Sequence, residues 1–412
     1  MFFKEYGNKL KLVVNEMKGV MSVSVGIVVG AGSVLENAKN NGISHFIEHM
    51  TFKGTPTLSA FQLSEAFDEI GSQVNAFTSK EMTCYYAKST LPALERSFEI
   101  LSDMFLNSTY SSEEIEKEKG VVVEEINMYA DTPEDVCIDN LSLAFFGDEG
   151  LGRTVLGPAS NIKAFSKSYI DDYRRDFYNA DNIVVCFAGN VDGLRAEELV
   201  DKYFAPYVSS LKSKPYYSTK NTNVGKILKT TKDIEQNHLA IAFDGIRYNG
   251  DFFDEMSLLN TVLGSGMSSR LFQKVREDMG LCYTIYSYPS GYRDVGSLSI
   301  YAGLNPEQTK EAYDAIFDVL KNLKKDGITP KEFEKGKAQV LSSFAFGQES
   351  TASQMMLYGK YLLFEDENFN SEDKIKYIEN IRKSKVDELI EMLDFDKFSL
   401  SLVGKSVDKI EL

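Results

Sequence analysis

The sequence predicts an α+β fold made of two homologous α/β sandwiches joined by a linker. Three observations carry this. Strand-like and helix-like stretches alternate from the first residues, a polar, unpatterned segment cuts the chain near its middle, and the two sides of the cut repeat each other's order. At 412 residues the chain is too long for one ordinary core, and a typical ~150 residues per domain gives two or three units.

The first strand is expected at residues 21–31, MSVSVGIVVGA, where small polar and β-branched residues alternate. Asn40-Asn41-Gly42 then breaks the chain. Ser44 is the expected N-cap of a helix running to about Met50. Residues 59–70, SAFQLSEAFDEI, form a second amphipathic helix stopped by Gly71. Residues 72–89 are extended and carry Asn75, Ala76, Phe77 and the Tyr85-Tyr86 pair; helices at about 91–107 and 112–129 follow. Between about 206 and 232 the pattern collapses into a Ser-, Lys-, Thr- and Asn-rich stretch with Pro215. The expected division is therefore a first domain over 1–211, a linker over 212–232 and a second domain over 233–412.

The repeat shows in two places. SEAFDEIGSQVNAFTSKEMTCYYAKS and QKVREDMGLCYTIYSYPSGYRDVGSLSIYAG both run helix, glycine, strand, turn, strand, with Gly71 and Gly280 at the stops. SSEEIEKEKGVVVEEI likewise parallels TPKEFEKGKAQVLSSF, which sets Ser343 opposite Glu125. Residues 258–262 then fall roughly opposite 45–49, where no metal-binding side chain recurs.

Composition narrows the function. A hydrophobic fraction of 43% and a charged fraction of 26% are ordinary globular values, and 27 Phe with 22 Tyr supply a large core. The net charge of −16 repels phosphate backbones and anionic membranes, so no nucleic acid and no membrane partner is expected. Charges interrupt every apolar run of the N-terminus, so it is not expected to be a signal peptide, and no stretch nears the roughly 18 apolar residues of a membrane span. The four cysteines lie far apart without a CxxC pair, which suggests reduced core thiols and a cytoplasmic location.

The chemistry concentrates in the first half. Two of the three histidines, His45 and His49, stand four residues apart and so share one helix face. Glu48 falls on that face, while Phe46, Ile47 and Met50 fall opposite. Imidazoles at this spacing can bind one zinc ion and leave a position open for water, with Glu48 placed to take the water's proton. A third protein ligand is then needed, and with no further histidine nearby it should be a carboxylate. On the 112–129 helix, Ile115, Val121, Val122 and Ile126 define an apolar arc, and Glu118 and Glu125 fall inside it. A carboxylate inside an apolar stripe is costly unless it is paired or bound to metal. One of the two would bind metal and the other support the shell; the helical wheel does not say which.

These residues together resemble the pitrilysin/insulinase family of zinc metallopeptidases, in its half-length, processing-peptidase-like branch. HFIEHMTFKGT (45–55) is similar to the family's HxxEH signature and its Phe-Lys-Gly continuation, and EKEKGVVVEEINMYADTPED (116–135) to the segment with the downstream glutamate. YNADNIVVCFAGNVD (178–192) resembles the strand that closes the first domain, and GSGMSSRLFQKVREDMGLCY (264–283) the non-catalytic repeat. The resemblance implies one zinc per chain held by His45, His49 and Glu125, with Glu48 as base and Glu118 as accessory glutamate. It also implies substrate contacts at Arg276 and Tyr283, and an edge strand around Asn75, Ala76 and Phe77 onto which peptide is added. The fold it implies is of the metallopeptidase clamshell type. The implied activity is an endopeptidase acting on peptides or short unfolded segments in a chamber closed by a homodimer. Glu149-Gly150 stands where the family often has His-Pro. The rival readings are a non-catalytic scaffold subunit, a dedicated leader-peptide or presequence protease, and a heterodimer whose partner supplies the Arg-Tyr pair.

Overall fold

The computed structural model describes residues 1–204, 215, 217–219, 223 and 225–411. The first half runs β1 (Phe2–Glu5), β2 (Lys11–Glu16), β3 (Ser22–Val29), α1 (Ile43–Thr51), α2 (Ala60–Glu69), β4 (Gln73–Thr78) and β5 (Thr83–Thr90). It continues with α3 (Leu94–Asn107), α4 (Ser112–Ala130), α5 (Pro133–Phe146), α6 (Ala159–Ala164), α7 (Lys167–Phe177), β6 (Ile183–Gly189) and α8 (Gly193–Tyr203). The second half runs β7 (Ile227–Thr231), β8 (Asn237–Asp244), α9 (Phe253–Leu263), a π-helical turn (Phe272–Asp278), β9 (Cys282–Gly291) and β10 (Gly296–Leu304). After these come α10 (Thr309–Asp326), α11 (Pro330–Gln348), α12 (Thr351–Glu365), α13 (Ser371–Asn380), α14 (Lys383–Met392) and β11 (Phe398–Gly404).

The duplication is visible in the topology. One sheet has the order β1-β2-β6-β3-β5-β4 and the other β7-β11-β8-β10-β9, so five strands correspond one to one. In each sheet the pair nearest the start, β2 with β6 and β7 with β11, is parallel, and the other corresponding pairs are antiparallel. Helix α9 follows β8 as α1 follows β3, and α11 follows α10 as α4 follows α3.

The compact units are not the two sequence halves. The first comprises Met1–Ile126, Thr154–Tyr217 and Phe346–Phe369; the second comprises Asn127–Arg153, Ser218–Ala345 and Asn370–Leu412. Each half lends one helix to the other's sheet. The reason lies in strands buried on both faces, which need a helix layer on each side. In β3, Val23, Val25, Ile27 and Val29 point into the first core with Phe46, Phe98, Phe105 and Phe187. The other face of β3 meets α12: Ser24 Oγ lies 2.9 Å from Thr351 Oγ1, and a Cβ on Gly359 would stand 3.0 Å from Val28 and 3.4 Å from Cys186. Gly359 therefore lets helix and sheet approach closely. Met355, Leu362 and Leu363 of α12 are buried there, each stabilising by roughly 1.5–3 kcal/mol. In the second unit α5 covers β8 and β11, with Cys137 Sγ donating to the His238 carbonyl at 3.2 Å. The third histidine, His238, serves this layer, its Nδ1 lying 2.7 Å from the Tyr301 hydroxyl.

Part of the expected 212–232 linker lies outside the described residues, and its last residues, Ile227–Thr231, form strand β7. Among the described residues no helix is long and apolar enough to cross a membrane.

Candidate metal centre

Helix α1 begins because the backbone turns at Gly42, where φ is 101°. Ser44 is not its cap. The carboxylate of Glu36 takes that role, accepting from the backbone N–H groups of Gly42 and Ser44 at 2.8 Å each and from Asn41 Nδ2 at 2.8 Å. Ser44 sits inside the helix, its hydroxyl 2.8 Å from that of Tyr173. Phe46, Ile47 and Met50 anchor the helix in the core, which turns His45, Glu48 and His49 the other way.

Helix α4 supplies the carboxylates. Ile115, Glu118 and Val122 are its buried residues, and Glu125 is half-buried. Val121, placed on the apolar arc by the wheel, is instead 52% exposed. Val121 stands at the outer edge of that arc, beyond Glu125 on the wheel, and so falls past the buried stripe of Ile115, Glu118 and Val122. His45 Nε2 lies 3.7 Å from Glu125 Oε2, and His49 Nε2 lies 3.4 Å from the same oxygen. Among the described residues this is the group of three such side chains whose ligand atoms converge, all within 4.8 Å of one another.

The donor set fits zinc. Bonds of roughly 2.0–2.2 Å in a tetrahedron put donor atoms about 3.4 Å apart, and the two separations to Glu125, 3.7 and 3.4 Å, lie close to this. His45 adds a second observation. It is 8% exposed, its Nδ1 has no hydrogen-bond partner, and its Nε2 is beyond hydrogen-bond range of Glu125. The orphaned, buried Nδ1 costs roughly 1–3 kcal/mol, and Nε2 is left with no hydrogen bond to Glu125 and its lone pair open to a metal. Burial, with help from the His49 charge, pushes His45 down to about 4, so its ring is neutral and its lone pair available.

Glu118 holds the second imidazole in place. Its Oε1 is 2.8 Å from His49 Nδ1 and its Oε2 2.6 Å from Lys53 Nζ. A proton on Nδ1 aimed at Glu118 leaves the Nε2 lone pair, on the Glu125 side, free to bind a metal. Burial acts to raise Glu118, but His49 and Lys53 outweigh it and hold the carboxyl below its usual value. Burial likewise acts to lower His49, and the Glu118 hydrogen bond with the surrounding carboxylates outweighs it. Glu48 is raised by burial against the pull of a hydrogen bond from Thr78 Oγ1 at 2.5 Å.

The remaining sequence-selected residues fall as follows. Asn75, Ala76 and Phe77 lie on β4, the edge strand of the first sheet, with Asn75 exposed and the other two half-buried. Arg276 lies in the π-helical turn of the second unit and Tyr283 on β9, that unit's edge strand. The structure brings these two together: the guanidinium is 5.3 Å from the Tyr283 ring centre and 4.5 Å from that of Phe272, and Tyr283 is 75% exposed. Three residues around the first site escaped the sequence reading. Lys53 had a signal, standing one turn beyond His49, and Thr78 had one too, two residues past Ala76 on the same strand face. Glu36 had none.

Fold and sequence together define a duplicated α+β chain with an inverted HxxEH motif in its first repeat. Residues 12–159, which contain every residue of that centre, match the model of the insulinase family, peptidase family M16; residues 164–340 match that of the M16 inactive domain. The chain is 40% identical over 403 residues to YmxG of Bacillus subtilis, named an uncharacterised zinc protease, covering 97% of each chain. It is 34% identical to the protein Rv2782c of Mycobacterium tuberculosis, which carries the same description, over 98% of this chain and 93% of that one. Among solved structures, a protease from Helicobacter pylori superimposes with a TM-score of 0.90 at 22% identity, over 98% of both chains. An M16 inactive-domain peptidase structure from Pseudomonas fluorescens gives 0.90 at 19%, again over 98% of both. The chain belongs to the M16 peptidase family.

Proposed function

We propose that this chain is a zinc endopeptidase that hydrolyses peptides or short unfolded segments, with one zinc held by His45, His49 and Glu125. The observation that carries this is the convergence of two imidazole nitrogens and one carboxylate oxygen within 4.8 Å of one another. Zinc, when bound, supplies a Lewis acid that polarises water and the scissile carbonyl. Glu48 accepts the proton of the attacking water and returns it to the leaving amine, and its raised affinity for protons suits both steps. Glu118 fixes the His49 tautomer and Lys53 keeps Glu118 ionised.

Peptide would pair as an added strand with β4 at Asn75 and Ala76, with Phe77 lining a side-chain pocket. Arg276 and Tyr283 would donate hydrogen bonds to peptide carbonyls or to the developing oxyanion. We further propose a homodimer that encloses the site, and a cytoplasmic location. Having both the metal centre and the Arg-Tyr pair in one chain favours the homodimer over a division of labour between unlike subunits. The net charge of −16 favours basic peptides. The test is cleavage of a quenched peptide library with and without chelator: loss on chelation and recovery with zinc support the proposal, and cleavage indifferent to chelator rejects it.

A further inference from the structure

Among the described residues Glu48 carries one hydrogen bond, from the hydroxyl of Thr78, and Thr78 is the last residue of edge strand β4. The hydroxyl has one proton to give. Its other polar neighbour, Thr83 Oγ1 on β5, stands at 3.4 Å and donates its own proton to the Ala31 carbonyl at 2.9 Å. With that proton committed, Thr83 could only accept from Thr78, and at 3.4 Å against 2.5 Å to the Glu48 carboxylate it is the weaker acceptor; Thr78 also pairs across the ladder with Thr83 itself, which fixes its backbone. Ala76 and Thr78 point to one strand face, toward α1, while Asn75 and Phe77 point to the other. The residue that orients the carboxylate thus belongs to the same short strand that would receive the peptide.

We propose that Thr78 is a positioning residue that locks the Glu48 carboxylate to strand β4, so that the proton acceptor and the peptide-pairing edge keep a fixed relation. This rests on the proposed peptidase reaction. The hydroxyl acts on Glu48 and on nothing else at the site: the peptide pairs with backbone, and the metal ligands are untouched. Thr78→Val keeps the shape and the strand preference but removes the donor, whereas Thr78→Ser keeps the donor. Freed of its one hydrogen bond, Glu48 samples other rotamers. Misplacement of a reacting group by about 1 Å costs up to roughly a hundredfold in rate.

The test compares wild type, Thr78→Val and Thr78→Ser in four measurements. These are kcat and KM for a quenched peptide, zinc per chain, the affinity of the metal-free protein for a labelled peptide, and the Glu48 rotamer in high-resolution crystal structures. Expected for Thr78→Val are a kcat lower by roughly tenfold to a hundredfold, unchanged KM and metal-free peptide affinity, full zinc content and a displaced Glu48. Thr78→Ser restores kcat and rotamer. A kcat within twofold of wild type, a loss of peptide affinity as large as the loss of kcat, or a Glu48 unmoved in Thr78→Val overturns the inference. The rotamer decides even if wild type cuts no peptide, an outcome that would instead count against the peptidase proposal.

Discussion

Replacing Glu118 by Gln isolates the role of the carboxylate behind His49. Glu118 is 3% exposed and serves two donors at once, His49 Nδ1 at 2.8 Å and Lys53 Nζ at 2.6 Å. A glutamine has one acceptor oxygen and one donor group, so it can satisfy only one of them. Lysine offers only donors, so the amide oxygen turns to Lys53 and the amide N–H turns to His49. The imidazole must then accept at Nδ1 and carry its proton on Nε2, the nitrogen that faces Glu125. That tautomer cannot donate to metal. Losses of this kind run from tenfold to a hundredfold in metal affinity, about 1.4–2.8 kcal/mol. The assay is competition between the stripped protein and a colorimetric zinc chelator at fixed pH. Lys53→Met in the Glu118→Gln background frees the amide oxygen for His49, so the double variant should regain roughly threefold to tenfold, a non-additive result expected of touching groups. A zinc affinity for Glu118→Gln within twofold of wild type, with the fold intact, would refute the tautomer argument.

Two further predictions concern stability. Glu332 accepts both Arg270 Nε and Nη2 at 2.8 Å and the Thr329 N–H at 2.8 Å, and these partners, Arg270 foremost, hold its carboxyl down to about 2. Its folded-state value is depressed, so its stabilisation is present at neutral pH and fades as pH falls from about 4.5 toward 2. Glu332→Gln should cost about 1–2 kcal/mol at pH 7, allowing for partial solvent screening. The gap from wild type in denaturant melts should close by pH 2; a gap independent of pH contradicts the assignment. Gly42→Ala should destabilise by at least ~2 kcal/mol, since φ is 101° and the new Cβ would stand 2.5 Å from the Leu156 carbonyl oxygen. A thermal midpoint equal to wild type would show that α1 can start differently.

The sequence made the centre legible because its parts are local. Four-residue spacing alone puts His45, Glu48 and His49 on one face, and the wheel of α4 singled out Glu118 and Glu125 from their charged neighbours. It left open which of the two faces both histidines; distances of 3.4 and 3.7 Å to Glu125, and the engagement of Glu118 by His49 Nδ1 and Lys53, distinguish them. What the pattern did not carry was tertiary. Ser44 has the chemistry of a cap, but a carboxylate eight residues earlier folds back to do the capping. Val121 has the hydropathy of a core residue, yet it faces solvent. The helices α5 and α12 look like ordinary members of their own halves. Each packs on the other half's sheet because the strands there need cover on both faces, and nothing in the composition of either helix records the exchange. Thr78 was marked by its place on the strand face, but its hydrogen bond to Glu48 was not, because that partner is 30 residues away.

The central claim is that His45, His49 and Glu125 hold zinc and that Glu48 moves the proton. The most direct measurement is elemental analysis together with peptide cleavage for wild type and Glu48→Gln. About one zinc per chain in both proteins, with cleavage in wild type and a loss of at least roughly a hundredfold in the variant, is the predicted result. Absence of zinc from wild type after loading, or equal cleavage by the two proteins, would contradict it.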